Sequence, residues 1–528
     1  MAIQDIRLVN SLRTPDDSPL FVINNDMTGG INTRQHSSRI KQSQCEVMTN
    51  ADISISGQVT KRNGSVLIGN DVGDVSPVAM CNFVIQGGTD QLLMYENTTL
   101  WKWIGSGDWA SLKADFTAST DVGMVACKES GLSPDDIVII QNGEDNPFRV
   151  DSNGNFQDLG STSGTGSDSP PKSTVMCWYG NRVWVLLNDL LYFSDAYPAD
   201  YAVAYDTVSN VYRIPVGAER KLMATRDMGI VVMGQKEIWA IAPSATPAAT
   251  DKPEPLITNL GCVSKKGAVQ YGDDIYFFSQ DGLRALKRTV QDKLQLGASY
   301  PVSYGLKTQF ERISWANIAN LSMETFDNKI FITIPTSATT YDVWIYYPAQ
   351  DSFVTLEGWY PTCWATYKVG GEERLYYGKV SQGKVYRGLY GYTDEGTTTT
   401  NGTAVTMTID GREENLGQPM VYKVGGELEI EAEVAGSGDT LTINVALDGG
   451  SFQSLGTVSL TSSAAPTLPI ALPFSLSDSY VVRDKFHLES VGRFRTIQVE
   501  IINSDANTDP IKLYGYNITS FQEAYESE

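Results

Sequence analysis

DDIYFFSQDGLRAL, residues 273–286, decides the fold. IYFF at 275 is rich in β-branched and aromatic side chains and too short for a helix, LRAL follows at 283, and a polar, glycine-bearing turn joins them. That is the signature of a β-hairpin. The same unit recurs on both sides. Equivalents of IYFF are LLMY at 92, IVII at 137, VWVLL at 183, IVVM at 230, IFIT at 330 and LYY at 375. With Met94, Ile139, Trp184, Val232, Phe277, Phe331 and Tyr376 as phase markers, the spacings are 45, 45, 48, 45, 54 and 45 residues. Equivalents of LRAL are LWKW at 100, FRV at 148, LYFS at 191, IWAI at 238, VWIYY at 343 and VYRG at 385. A further strand precedes each marker, as in VAMCNFVI, VGMVACKE, TVMCWYG, KLMATRD, GAVQYG, NLSMETF and CWATYKV. In several units another follows, as in GDWASL at 107, NFQDLG at 155 and SFVTLEG at 352. Four antiparallel strands per ~45 residues, repeated radially, make a β-propeller blade.

An all-β protein follows, with three parts. Residues 51–395 are expected to form a propeller of about seven blades, or six if one hairpin has left the ring. DISISGQVTKRNGSVLIG, residues 52–69, reads as a hairpin around Arg62-Asn63-Gly64 and is expected to complete the last blade. A ring must pair its two ends to remove sheet edges. GSTSGTGSDSPP (160–171) reads as a surface loop between blades, and DEGTTTTNGT (394–403) as a linker. Residues 396–528 keep clean alternation (GELEIEAEVAG, TLTINVALDG, FRTIQVEII, IKLYGYNI) without the 45-residue period. They predict a β-sandwich of six to nine strands. Residues 1–50 lack repeated alternation and read as an extended docking arm.

Composition narrows the chemistry. The 528 residues carry 62 acidic against 40 basic side chains, a net charge of −22, so the surface repels a nucleic-acid backbone. Eighteen acidic and seven basic residues fall in 401–528, half of that excess, which reads as a solvated outer face. Two histidines, His36 and His487, cannot build a His-rich metal site, and neither has an evident nucleophile beside it. Six cysteines (Cys45, Cys81, Cys127, Cys177, Cys262, Cys363) form no close CxxC pair and read as buried thiols. Asp5 and Arg7 stand where a secretory signal would be apolar, and no run approaches the ~18 apolar residues of a membrane span. No catalytic, metal or cofactor-binding residue is nominated.

Motif-like fragments fall to simpler readings. DSNGN (151–155) starts like a calcium loop but lacks the sixth-position glycine and terminal glutamate, so a blade turn is expected. SQDG (279–282) lacks the Thr-Trp end of a sialidase Asp box and reads as a hairpin turn. Asp135-Asp136, Asp273-Asp274, Glu372-Glu373 and Glu413-Glu414 are adjacent pairs, which point to opposite faces of a strand and cannot flank one substrate atom. Trp101, Trp103, Trp184, Trp239 and Trp344 lie on repeat strands and are expected in blade cores.

TGGINTRQHSSRIKQSQCEVMTNADISISGQVTKRNG, Thr28 to Gly64, resembles the opening of propeller-type phage tail proteins, with Gly29, Gly30, Asn32, Asn50, Gly57, Lys61, Arg62 and Gly64 at the matching positions. YGNRVWVLLNDLLYFSDAYPADY (179–201), DDIYFFSQDGLRAL and the closing GRFRTIQVEI…YGYNI resemble further parts of the same proteins. The family is the tail nozzle or hub of short-tailed phages, also called the head- or packaged-DNA stabilisation protein. The resemblance implies a virion tail protein, assembled in the host cytoplasm, that forms a ring of about six copies below the portal and adaptor. It implies a part in closing the DNA channel, in genome retention and in ejection, and contact with an adaptor ring and with spikes, fibres or a plug. Duplex DNA would pass between subunits without sequence-specific binding, since a seven-blade axis is too narrow for a ~20 Å duplex. Arg34, Arg39 and Lys41 of the arm are the docking candidates for acidic adaptor surfaces, against ordinary solvation as the plain alternative. Two other classes stand beside this one: a receptor- or glycan-binding protein acting through the sandwich, and a propeller glycosidase, weakened by the failed Asp box.

Overall fold

The computed structural model describes residues 19–53, 57–128, 136–159, 171–195, 205, 210–244, 247, 251–296, 299–433, 438–460, 481–506 and 511–522. Residues 1–18 of the expected arm, nearly all of the 160–171 connector, Asp135 and the 196–201 end of one resembling stretch lie outside them. The described chain forms two compact units, one of residues 62–405 and one that joins residues up to 61 with those from 406.

The first unit is the expected propeller. Its sheets cover 77–113, 123–158, 176–213, 219–258, 268–285, 322–356 and 361–388 with Ser65–Ile68, giving six blades of four strands and one, 268–285, of three. All seven marker runs are second strands, and apart from Ser65–Ile68 the strands of each blade pair antiparallel with their neighbours in sequence. Two strands escaped the sequence reading, Val211–Arg213 and Glu254–Thr258, which complete two blades. The three-stranded blade continues instead into a helix, Leu286–Leu296, which begins at the last residue of the expected strand LRAL. Leu286 is buried and Val290 packs beside it in the same core, so the i, i+4 apolar pair is the signal that was available.

The core lies between blades. One cluster joins Leu93, Tyr95 and Phe83 of the first blade to Val138, Ile140 and Phe148 of the second; another joins Trp184 and Leu191 to Ile230 and Val232. A strand pressed on both faces cannot alternate, and second strands such as Gln91–Glu96, Asp136–Gln141 and Gly229–Gly234 are buried at every position. Tight turns keep register: Gly180-Asn181 and Asp327-Asn328 each hold two consecutive positive φ angles, as two-residue hairpins of this hand require. Trp103, Trp184 and Trp344 are buried, and Trp101 and Trp239 pack partly buried on the same cores.

The ring closes twice. Around the axis, the innermost strand Pro361–Val369 meets Pro77–Phe83, where Thr362 Oγ1 donates to Pro77 O at 2.6 Å. At the rim, Ser65–Ile68 adds as the outer strand of the last blade, with Leu67 opposite Tyr386. Closure by an N-terminal strand is therefore as expected, but the hairpin around Arg62-Asn63-Gly64 is not. No residue from 62 to 64 has the positive φ such a turn needs. Ala51–Ile53 and Val59–Lys61 instead form a hairpin of the other unit, with residues 54–56 of its turn outside the described residues.

That second unit has two sheets. One runs Ala51–Ile53, Val59–Lys61, Lys512–Gln522, Lys423–Glu433, Val481–His487, with Leu20–Asn24 also on Lys512–Gln522 and Arg493–Phe494 on Lys423–Glu433. The other runs Val47–Thr49, Met407–Asp410, Ile497–Asn503, Thr440–Leu447, Gln453–Ser459. Alternate residues are buried along Lys423–Glu433 and Ile497–Asn503, as a sandwich demands. Eight of these strands follow residue 405. The expected arm is extended, yet its described part already serves as strands within this unit. The boundaries at 50 and 395 thus move to 61 and 405. The physical reason is edge pairing: an extended apolar segment such as Leu20–Asn24 finds partners on an open sheet edge.

Candidate functional site

The residues that carry the phage-tail resemblance turn out to be those that fix the path between residues 29 and 64. Gly29 N donates to Ser43 O at 2.9 Å, and a Cβ there would lie 2.8 Å from that same oxygen, so only glycine fits. Gly30 has φ +62°, and its carbonyl accepts from Cys45 N. Asn32 donates through Nδ2 to Gln44 Oε1 at 3.0 Å. Asn50 adopts φ +56° and donates from Nδ2 to Thr406 O at 2.8 Å. Gly57 has φ +90° beside the Ala51–Lys61 turn.

Lys61 and Arg62 then divide the work at the unit boundary. Lys61 Nζ donates to Asn503 Oδ1 (2.7 Å) and Asp505 O (2.5 Å) inside the sandwich. Arg62, 4% exposed, forms a two-pronged ion pair with Asp394 inside the propeller: Nη1 to Oδ1 at 2.9 Å and Nη2 to Oδ2 at 2.6 Å. Nη2 also donates to Glu357 O, the guanidinium lies 5.0 Å from the Trp359 ring, and Trp359 Nε1 donates to Asp394 Oδ1. Two neighbouring cations thus reach in opposite chain directions. A Cβ on Gly64 would sit 2.1 Å from Thr393 O, which explains the glycine without any turn. The docking candidates Arg34, Arg39 and Lys41 are exposed in the loop before Val47.

Sequence reasoning missed the propeller axis. The chain enters successive innermost strands at one mouth, which opens into a cavity of about 520 Å³, and a second space of about 210 Å³ lies along the inner strands. Asp121, Arg220, Lys265 and Lys266 line both and form a collar between them. Lys265 Nζ donates to Asp121 Oδ2 at 2.6 Å and to Thr174 Oγ1 at 2.9 Å. Lys266 Nζ donates to Val78 O. Arg220 Nε is buried without a hydrogen-bond partner. Below the collar stand Lys221 and Glu324. Burial pulls the Lys221 ammonium below its usual range. Burial pushes the Glu324 carboxyl up to about 7, against the opposing pull of Lys221. The available signal was two basic doublets, Arg220-Lys221 at the start of the first strand Glu219–Thr225 and Lys265-Lys266 just before the first strand Ala268–Tyr271.

Elsewhere the plain readings stand. Asp151 Oδ1 accepts from Asn153 N and Asn155 N in a blade turn, and Ser279 pairs with Gly282 across the SQDG hairpin. Cys45, Cys127, Cys177, Cys262 and Cys363 are buried and Cys81 partly so, all as free thiols; burial pushes those of Cys45, Cys81 and Cys177 up to about 12. His36 lies 3.5 Å from Glu413. Among the described residues no three His, Cys, Asp or Glu side chains converge as a metal cage, and no helix is long and apolar enough to cross a membrane.

No family model and no curated protein matches the chain. Among solved structures it is similar to BBS1N in complex with ARL6DN, at 11% identity over 62% of this chain and 97% of that one, with a TM-score of 0.36. A glycoside hydrolase (11% identity, 85% and 99% coverage, TM-score 0.24) and Trypanosoma rangeli sialidase (9%, 92% and 95%, TM-score 0.27) are also similar. These scores are too low to bear on function.

Proposed function

We propose that the chain is a structural protein of a phage virion, the nozzle or hub ring of a short tail. In this reading it acts without catalysis, continues and closes the DNA channel below the portal and adaptor, and takes part in retaining and ejecting the genome. The observation that carries the reading is the coincidence at Lys61–Gly64. The positions on which the resemblance rests are the ones whose side chains, or lack of them, anchor the chain's passage into the propeller. A closed propeller supports it physically, since blades packed in a ring are stiff and leave only short, protected edges that do not template unwanted pairing. So does the net charge of −22: a wall that repels phosphates lets DNA slide instead of holding it. The axial cavities are far too small for duplex DNA, so the DNA path in this reading lies between copies. Arg34, Arg39 and Lys41 are then the exposed cations offered to the adaptor.

Mass measurement of the full chain, alone and mixed with a portal–adaptor assembly, tests the proposal, with projection images of any complex. A closed ring of about six copies seated on the adaptor is the expected result. A stable monomer that binds an oligosaccharide would place the function in a receptor-binding module, and polysaccharide turnover would place it among the glycosidases.

A further inference from the structure

The charge along the propeller axis opposes the charge of the chain. Four cations, Arg220, Lys221, Lys265 and Lys266, face two carboxylates, Asp121 and Glu324. One carboxylate is already spent, because Asp121 is held by Lys265 and Thr174. The other is partly neutral near pH 7, since burial raises its pKa to about that value. Lys266 is satisfied only by a backbone carbonyl, and Arg220 forms no ion pair among the described residues. In a protein of net charge −22, Arg220 and Lys266, which line both cavities with no carboxylate partner among the described residues, are not surface solvation. They are a preformed receptor for negative charge.

We propose that the collar at the mouth of the propeller binds a small oxyanion, a phosphate or carboxylate group, through Arg220 and Lys266. The outer cavity, about 520 Å³, has room for a compact multivalent anion with water. Thr120 and Thr339 also line it, with hydroxyls able to donate to oxygens that the cations do not reach, whereas those of Ser119, Ser264 and Thr362 are already donated to backbone carbonyls. Lys265 keeps its place by its pair with Asp121, which leaves the guanidinium of Arg220 as the planar, two-pronged donor suited to an oxyanion. Bound there, the anion would bridge the chain entering the fourth blade to that entering the fifth.

Calorimetric titration of the full chain at fixed ionic strength tests this, with inorganic phosphate in one arm, citrate in another and chloride as the balancing salt. Saturable binding of one equivalent per chain is expected in at least one arm. Phosphate alone would identify a tetrahedral ligand, citrate alone a carboxylate ligand, and both the chemistry they share. Arg220→Gln and Lys266→Met should each weaken binding about tenfold or more, while Lys236→Gln, in an exposed turn of the fourth blade, leaves it unchanged. Should Arg220→Gln fold poorly, Arg220→Lys keeps the charge, loses the fork and should still bind more weakly. Absence of saturable heat with either anion, or affinity unmoved in both collar variants, overturns the proposal.

Discussion

The propeller and the sandwich are both antiparallel β structures, but they are assembled by opposite rules. Within the propeller every blade strand pairs with its sequence neighbour, and one long-range pairing, Ser65–Ile68 on Val385–Gly388, closes the rim. In the sandwich, Leu20–Asn24 and Val59–Lys61 pair with Lys512–Gln522, and Val47–Thr49 with Met407–Asp410. Local pairing carries little loop-closure cost, whereas joining the two ends of a 528-residue chain requires something to bring them together. The propeller is that something: it occupies residues 62–405 and returns the chain to where it began.

The largest expected effect comes from cutting the chain at this seam. Residues 62–405 alone should fold cooperatively, because they contain all seven blades and the closing strand. Residues 406–528 alone should not, because both of their sheets lose strands supplied by the N-terminal segment. All ten tryptophans lie between Trp101 and Trp364, so fluorescence follows the propeller while circular dichroism follows both units. Two-state unfolding of isolated 406–528 would refute the dependence. The same geometry revises the arm: deleting residues 1–50 removes Leu20–Asn24 and Val47–Thr49, so loss of adaptor binding must be accompanied by a weakened sandwich.

Next in size is the closure itself. Arg62→Ala leaves the buried Asp394 carboxylate without its cation and should cost about 3–5 kcal/mol. Gly64→Ala pushes a methyl against the Thr393 backbone and should cost about 1–3 kcal/mol. Both should appear in tryptophan-monitored urea unfolding, as a lower midpoint for the propeller transition.

The same contrast explains what could be read from the sequence. Strands such as Asp274–Ser279 and Arg182–Leu187 announce themselves because blades bury both faces and repeat their spacing. Val211–Arg213 and Glu254–Thr258 do not, since an outer strand is short, half exposed and weakly patterned. The helix Leu286–Leu296 follows the hairpin of a blade for which no fourth strand was expected. For the sandwich, alternation gave the strands but not their N-terminal partners, because nothing local in LFVIN at 20–24 points to Lys512–Gln522. At Lys61–Gly64 the sequence suggested a turn, whereas ion pairing and backbone proximity, invisible in one sequence, account for Lys61, Arg62 and Gly64. The axial collar was missed for the same reason, as its members lie 145 residues apart, from Asp121 to Lys266, and meet only when the ring closes.

Charge burial offers a finer comparison, through pH. Among the described residues, each unit holds one carboxyl raised to about 7. Glu324 in the propeller is raised first by burial and opposed by Lys221, whereas Asp410 in the sandwich is raised first by burial and further by Glu500 and Glu46. A carboxyl whose folded pKa lies above its unfolded value contributes stability that is full below the unfolded pKa, near 4, and is lost as pH rises through about 7. Stability should therefore fall across that window in both units. Asp410→Asn should flatten the fall seen by circular dichroism and leave the fluorescence transition alone. Glu324→Gln should flatten the fall of the fluorescence transition and leave the sandwich part of the circular dichroism change alone. If one substitution moved both transitions equally, the two units would unfold as one body and the comparison would lose its basis.

The smallest effect is expected where charge is most abundant. Across the sandwich strands Lys423–Glu433 and Val481–His487, Arg483 pairs with Glu431 at 2.9 Å and Lys485 with Glu427 at 2.9 Å, on an exposed face. Hydrogen bonds from these cations lower the Glu427 carboxyl and raise the Arg483 and Lys485 cations relative to their ordinary values. Water and salt screen such pairs, and ordering two long side chains offsets most of their attraction. Arg483→Ser with Lys485→Ser should leave both unfolding midpoints unchanged in moderate salt, in contrast to Arg62→Ala. A clear drop in the sandwich midpoint would mean that this acidic face needs its few cations to hold together. The excess negative charge at the C-terminal end would then be a structural liability rather than a solvated outer surface.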